Sequence, residues 1–594
     1  MRISGAETHR GAVQAILLFA DLTLAVLTLI VAPIAGIKAT RRWLIALAAL
    51  AVGRAALAGG LMLGGGFLLV DSRLTVQVPL ALLPAAWAVG KPTRTAAHVS
   101  AAAGALSVWW LLTPFPPSDA AAILGGSALA LALVGVVSVA AGRSEARAAR
   151  LPWKTAAFLL VPVVTLLIAG QANAAGGGHQ HGGAGERRVD QLTGPTDRAP
   201  DVRTTLTAAR QGDRLTFNGT SPGPEIRAKV GQLVEVTLVN RDVEEGVTVH
   251  WHGVDVPNAE DGVPGVTQNA VRPGEKHVYR FVPDRAGTFW YHTHRDGLHN
   301  VEKGLFGAFI VEEPFDGVER TVFTHIWPGE QTSLTGPARQ AVPAGREVRL
   351  RLINSSQEPQ SVVVGGTRFR VAAIDGNPVE GATPLEPGTE LTLAAGGRYD
   401  ATFTMPSGAV TAAVDGASVT FSPDGKAGPA STSGGGQFDP LTYGSGAAPA
   451  SGDYQRTFDL RLDDGFGFSE GRLSYVSSLI NGRLYPAVPT LEVAEGDRVR
   501  IRIASRSTIE HPFHLHGHRV RVVSRNGERS TGSPWWTDTF NVGTGDVYEV
   551  EFVADNPGIW MDHCHNFQHG ANGMILHLAY QGVSTPFSAD HSPE

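Results

Sequence analysis

Residues 233–239 read Leu-Val-Glu-Val-Thr-Leu-Val, and this stretch decides the fold of the larger part of the chain. Side chains alternate between the two faces of a strand. Val234, Val236 and Leu238 therefore fall on one face, while Glu235 and Thr237 fall on the other. The same period of two recurs at Val348–Ile353 and at Val499–Ile503, each time bounded by Gly, Pro, Asn and Asp clusters. No long helical period interrupts these runs after residue 200. Short alternating strands at short spacing predict β-sandwiches.

Working outward from that stretch, the chain changes character twice. A Gly/Ser/Pro-rich segment over 423–452 separates a middle β region (315–422) from a last one (453–587), and the first β region covers 200–314. Three units of ordinary domain size fit between Pro200 and Phe587. Ahead of them lies a Gly/His-rich tract, 176–199, with too little apolar surface to fold alone, which reads as a tether. His179 and His181 lie in this tether and are not assigned to a site.

Residues 1–175 carry nearly all the long apolar runs. A helix crossing a hydrocarbon core of about 30 Å needs roughly 20 apolar residues. Six runs qualify: Ala12–Ile37, Trp43–Val70, Leu74–Gly90, Ala96–Phe115, Asp119–Gly142 and Trp153–Ala174. The third is the weakest, interrupted by Gln77, Pro79 and Pro84, so five spans are the alternative. Arg143, Arg147, Arg150 and Lys154 precede the last run and predict a cytoplasmic loop there, which puts everything after Ala175 outside. Asp21 and Arg54 fall near the middle of the first two spans, where they are expected to pair with each other. The Ala172-Asn173-Ala174 end of the last run also has the form of a signal-cleavage site, although five preceding spans favour small residues at a span's outer end.

The composition of the 594-residue chain agrees with this split. Hydrophobic residues make up 43% and charged residues 18%, and 49 basic against 55 acidic residues give a net charge of −6. Without a basic excess, nucleic acid is excluded as a partner.

The histidines carry the chemistry. Of 20 in the chain, ten sit in four tight clusters: His250-Trp251-His252; His292-Thr293-His294; His511-Pro512-Phe513-His514-Leu515-His516; and His563-Cys564-His565 with His569. On a strand each His-x-His presents two imidazoles to one face. In His563-Cys564-His565 the thiol points one way and both imidazoles the other. A thiolate with two imidazoles and a weak axial thioether is a blue-copper ligand set, and Cys564, His569 and Met574 lie within one short segment. Cys564 is the only cysteine, so it cannot form an intrachain disulfide and its role is expected to be chemical.

These motifs resemble the three-domain, laccase-like multicopper oxidases. The resemblance runs from Pro200 to about Phe587. It rests on FNGTSPGPEIRAKVGQLVEVTLVN, HWHG, GTFWYHTH with GLFGAFIV, REVRLRLINSS with VAAIDGNPVE, HPFHLHGH and HCHNFQHGANGM. It implies a mainly β fold of three cupredoxin-like Greek-key sandwiches, here preceded by a transmembrane bundle of about six helices. About four coppers per chain are implied. His511, Cys564 and His569 with axial Met574 would hold a type 1 copper, and His250 with His514 a type 2 copper. His252, His292, His294, His516, His563 and His565 would hold a type 3 pair. The reaction implied is one-electron oxidation of a donor coupled to reduction of dioxygen to water.

The same resemblance gives Asp261, in VDVPNAEDGVPG, as a proton relay to the cluster, the alternative being that its Asp-Gly pair caps a turn. Some relatives carry a glutamate just after the second type 1 histidine; here Gly570 stands there, preceded by Gln568. Non-catalytic scaffolds of this fold typically show eroded ligand motifs, and two-domain nitrite-reducing relatives lack the full set of four clusters. The donor is open among phenolic or aromatic molecules, Cu(I) and Fe(II). Only five methionines are present, scattered along the chain, which weakens a specialised Cu(I) role. Glu510, beside His511, either helps capture a cationic donor or supports the ligand.

Overall fold

The computed structural model describes residues 8–113, 115, 187–449, 451–469 and 472–587. The β part consists of three pairs of sheets, and one pairing scheme recurs in all three. In each unit the opening strand runs parallel to a later one: Val202–Gln211 with Val234–Asn240, Val318–Ile326 with Glu347–Asn354, and Arg456–Ser469 with Arg498–Ser505. In the facing sheet a short strand runs parallel to the last or nearly last strand of its unit: Ile226–Lys229 with Phe306–Glu312, Arg339–Ala341 with Ala417–Ser422, and Leu491–Val493 with Ile575–Tyr580. The alternation read at 233–239 is realised, with Val234, Val236 and Leu238 fully buried between the sheets of the first unit. Parallel strands cannot be joined by a tight hairpin. The chain therefore crosses between the sheets, which is the Greek-key plan of a sandwich.

The units are joined by buried polar contacts. Asn258 of the first donates to Ile559 O of the third at 2.9 Å and accepts from Ile559 N at 3.1 Å. Arg398 of the middle unit makes a bidentate bond to Asp538 of the third, at 2.6 and 2.7 Å. Thr288 of the first donates to Asp400 of the middle unit at 2.6 Å.

Helices occupy the N-terminal part: α1 (Thr8–Lys38), α2 (Arg41–Gly65), α3 (Phe67–Ser72), α4 (Val78–Gly90) and α5 (Arg94–Leu111). Three stretches among the described residues are long and apolar enough to cross a membrane, namely Gly11–Lys38, Arg41–Gly65 and Phe67–Gly90, rather than six. The second run stops at Gly65 because Gly66 takes φ +74°, a left-handed conformation that ends the helix. Residues 67–70 thus start the third span, which a π-helical turn at Arg73–Gln77 carries into α4. The fourth run is helical up to Leu111, in α5, whose 18 residues include Arg94, His98, Ser100 and Ser107 and fall short of the other three stretches in apolarity. The fifth and sixth runs lie outside the described residues.

Asp21 and Arg54 pair as expected, at 2.8 Å, and the pair is part of a larger group. Arg73 Nε donates to the second Asp21 oxygen at 2.8 Å, and Arg54 also reaches Ser107 Oγ at 2.8 Å and Gln77 Oε1 at 2.9 Å. The start of α1, the end of α2 and α3 all meet the third sandwich, where Leu18, Leu61, Leu69 and Val70 pack with Val547. Asp71 lies buried at this junction, bonded to Arg461 at 2.7 Å and Arg506 at 2.5 Å.

Candidate metal centre

The four histidine clusters lie on strands that are direct neighbours. His250–His252 pairs with Gly287–His292, setting His250 opposite His292. His511–Leu515 pairs with Ile559–Cys564, setting His514 opposite His563 and Phe513 opposite Cys564. Both strand pairs are buried, and the first and third sandwiches press them against each other. Eight imidazoles then form one contiguous cluster. Ligand atoms lie within 4.8 Å of one another in the sets His250/His252/His514, His252/His292/His565, His294/His516/His563 and His250/Asp261/His516. A separate set, His511/Cys564/His569, has Cys564 Sγ 3.8 Å from His511 Nδ1 and 3.4 Å from His569 Nδ1. Met574 is fully buried in the hydrophobic cluster that contains Cys564. Its carbonyl accepts from Cys564 N at 3.1 Å, and its own N–H donates to His569 O at 3.0 Å.

Six of these rings are aimed by a hydrogen bond at the nitrogen away from the cluster. His250 Nδ1 donates to Asp261 O, His292 Nδ1 to Thr293 O, His514 Nδ1 to Asp538 O and His563 Nδ1 to Cys564 O, all at 3.0 Å. His516 Nδ1 lies 3.0 Å from Asp261 Oδ2. His252 is turned the other way, with Nε2 3.0 Å from Thr539 Oγ1, so its Nδ1 faces the cluster. Such bonds fix the tautomer and leave the opposite nitrogen to a metal.

The donor set fits copper. His252 Nδ1, His292 Nε2, His516 Nε2 and both ring nitrogens of His565 are buried without a hydrogen-bond partner among the described residues. Unsatisfied buried nitrogens are costly, and a bound cation removes that cost. Burial first, and neighbouring imidazoles next, hold His252, His292, His514, His516 and His565 well below the ordinary histidine range. Burial also brings His511 down to about 3 and His569 to about 4. Neutral imidazoles are the ligating form.

Asp261 lies between a turn and the cluster. It closes a 3₁₀ turn over Asn258–Glu260, and its carboxylate meets His516. Gly262 follows with φ +76°, where a Cβ would lie 2.0 Å from Val249 O, so the turn can press against the His250 strand only with glycine there. Gly396 does the same for the middle unit, since a Cβ would lie 2.7 Å from His252 Cε1. Glu510 is held by Asn541 Nδ2 at 2.7 Å, and burial pushes its carboxyl up. Gln568 and Gly570 lie on the short helix Phe567–Ala571.

Several residues that shape the centre carried no sequence signal. Asp538 and Thr539 orient His514 and His252 from a strand with no histidine. Asp562, fully buried, accepts from His516 N at 3.3 Å and is pushed well above the carboxylate range by burial. Its place directly before His563 was the one available hint.

Residues 201–316 and 457–582 each match a family model described as multicopper oxidase. The multicopper oxidase MmcO of Mycobacterium tuberculosis is 28% identical over 439 residues, covering 62% of this chain and 83% of that protein. Laccase-1 of Fomitopsis schrenkii is 28% identical over 454 residues, with the same coverage of 62% and 83%. Among solved structures, the multi-copper oxidase of Pseudomonas thermotolerans superposes with a TM-score of 0.53 at 26% identity, covering 64% of this chain and 98% of its own. The fold is thus that of the three-domain cupredoxin-like enzymes, with apolar helices added at the N-terminal side. The two multicopper oxidase matches and these relatives make the chain a copper-dependent oxidoreductase that is similar to the laccases.

Proposed function

We propose that the chain is a membrane-anchored oxidase that takes single electrons from a small donor near Cys564 and delivers four of them to dioxygen at the histidine cluster. The observation that carries this reading is the separation of the buried ligand atoms into two centres joined through His563-Cys564-His565. His511, Cys564, His569 and Met574 would hold a type 1 copper. His250 and His514 are assigned to a type 2 copper. His252, His292 and His565 are assigned to one type 3 copper, and His294, His516 and His563 to the other. When bound, copper supplies one-electron acceptance at the thiolate and multi-electron reduction of dioxygen at the cluster.

The chain's own residues do the rest. Cys564 offers a path of a few covalent bonds from its sulfur to the two flanking imidazoles. Asp538, Thr539 and Asp261 hold the rings that face the cluster. Asp261 is further assigned the proton relay, because its carboxylate groups with His250 and His516 at ligand distance. The helices are assigned to the cytoplasmic membrane, with their ends near the third sandwich on the outer face and membrane lipid around them.

Copper content and the effect of Cys564→Ser test this reading together. We expect about four coppers per chain, and in the variant the loss of the blue absorption and of nearly all turnover with the fold intact. One copper or none in the unsubstituted chain would instead mark a scaffold. Protease added to intact spheroplasts tests orientation and should cleave after Ala175. Protection until lysis would reverse the topology.

A further inference from the structure

His511 and His514 share a strand but are held differently. His514 Nδ1 is fixed by Asp538 O at 3.0 Å, whereas His511 turns Nδ1 toward Cys564 Sγ, 3.8 Å away, and its buried Nε2 has no hydrogen-bond partner among the described residues. A hydrogen bond at the second nitrogen is what ordinarily aims a ligating ring. The His511 ring is therefore aimed by its backbone and its packing. His511 is also the first residue of its strand, so that backbone is placed in part by residues 506–510, which join it to the strand Arg498–Ser505.

This joining segment is pinned from two sides. On the sandwich side, Asp464 accepts from Ser507 Oγ at 2.5 Å and from Thr508 N and Oγ1 at 2.6 Å, and Glu510 accepts from Asn541 Nδ2 at 2.7 Å. On the other side, Arg506 reaches into the helical part. Its Nη1 donates to Asp71 of α3 at 2.5 Å and its Nη2 to the carbonyl of Phe115, while Nε and Nη2 hold Asp463 at 2.7 and 2.6 Å. We propose that Asp71 is a positioning residue of the Cys564 centre: through Arg506 it clamps the segment that carries His511, so the helical bundle forms part of the frame of the electron-entry site. This rests on the assignment of His511 to copper above.

The partners of Asp71 support that role. The bundle's own buried arginines, Arg54 and Arg73, are both taken by Asp21, and the two cations paired with Asp71 come from the sandwich. One of them, Arg461, stands on the strand Arg456–Ser469 and leads to no ligand. The other, Arg506, opens the His511 segment. A guanidinium is a planar fork whose donors keep fixed directions, so one that bonds Asp71 and Asp463 together holds its own backbone in register with both. Removing one partner of a buried pair leaves the other uncompensated. Without the Asp71 charge, the strained group is at the root of that segment.

The test uses the full chain in lipid nanodiscs, with and without copper. In the copper-free protein, Asp71→Asn should speed backbone hydrogen exchange over residues 506–511 about tenfold. Arg461→Gln loosens the same junction without touching the segment and should leave that exchange near the unsubstituted rate. In the copper-loaded protein, Asp71→Asn should shift the blue absorption and the reduction potential of the Cys564 centre with copper content unchanged, and Arg461→Gln should shift neither. Asp71→Glu keeps the charge and should restore both in part. If Asp71→Asn does not fold, Arg506→Lys keeps a cation but gives up the fork, and the same changes are expected there, smaller in size. Unchanged exchange and absorption in whichever of the two folds, or equal changes in Arg461→Gln, overturn the proposal and leave the junction a fastening for the helices only. If the unsubstituted chain shows no blue absorption, the copper assignment has failed, and exchange over 506–511 alone decides whether Asp71 holds the segment.

Discussion

The helical bundle and the histidine cluster both bury polar groups in dry surroundings, but they treat them in opposite ways. In the bundle, Asp21 meets Arg54 and Arg73, and Arg54 meets Gln77 and Ser107, so the charges and their donors satisfy one another. In the cluster, His252, His292 and His516 are each held at one ring nitrogen and leave the other without a partner among the described residues. Closed networks of the first kind hold a fold in one arrangement. Open ones of the second kind await a ligand. The contrast separates structure from function more sharply than burial does, since both groups are equally buried.

The largest expected effect comes from opening the closed network. Removing one partner of a buried ion pair costs about 3–5 kcal/mol. Arg54→Met leaves Asp21 with Arg73, so a loss of about 3 kcal/mol is expected. It should appear as a lower melting temperature of the helices in detergent, with copper content and the blue band unchanged. A normal melting temperature combined with lost turnover would make the pair a proton or ion path and erase the contrast.

Next comes Asp261, which belongs to both kinds of network at once. Asp261→Asn keeps an oxygen for His516 Nδ1 and most of the turn bonds but removes the carboxyl group that would carry the proton. As a relay, Asp261 predicts full copper loading, normal reduction of the Cys564 centre and about a hundredfold loss of turnover, worst at high pH. Turnover near that of the unsubstituted enzyme across the pH range would leave Asp261 a turn and ring-orienting residue only.

How much of this was legible in the sequence follows from the same contrast. The strands were, because alternation at 233–239 and its counterparts is a local property. The ten clustered histidines were, because i and i+2 share a strand face. His518 shows the limit of that rule. It stands two residues after His516 in HPFHLHGH, yet its Nδ1 donates to His516 O at 3.1 Å and its Nε2 lies 2.7 Å from Tyr580 Oη, so neither nitrogen is available. Spacing cannot tell the two apart; only partners from distant strands can. Asp538, Thr539 and Arg398 were illegible for the same reason, as their roles come from contacts across units. The second and third spans were misjudged at their boundary because a hydropathy run does not register the left-handed turn at Gly66.

The smallest effect expected comes from a buried histidine of the closed kind. His325 lies on Val318–Ile326 with Nδ1 3.0 Å from Ser355 Oγ and Nε2 3.1 Å from Glu302 O, and burial lowers it to about 4 despite those bonds. Its ordinary value is about 6.5. As pH falls, the unfolded chain therefore takes up the proton first. The folded state is fully favoured above pH 6.5 and loses stability between 6.5 and about 4. From these two values the loss by pH 5.5 is about 1 kcal/mol. His325→Gln removes the titration and keeps an amide that can bond to both neighbours. Measured against that variant by denaturant unfolding, the unsubstituted protein should lose about 1 kcal/mol more between pH 7.5 and 5.5. The copper ligands are the same in both proteins, so their own response to acid cancels in the difference. Equal losses in the two would mean that His325 is protonated in the fold, and that hydrogen bonds at both ring nitrogens do not suffice to mark a buried imidazole as neutral and structural.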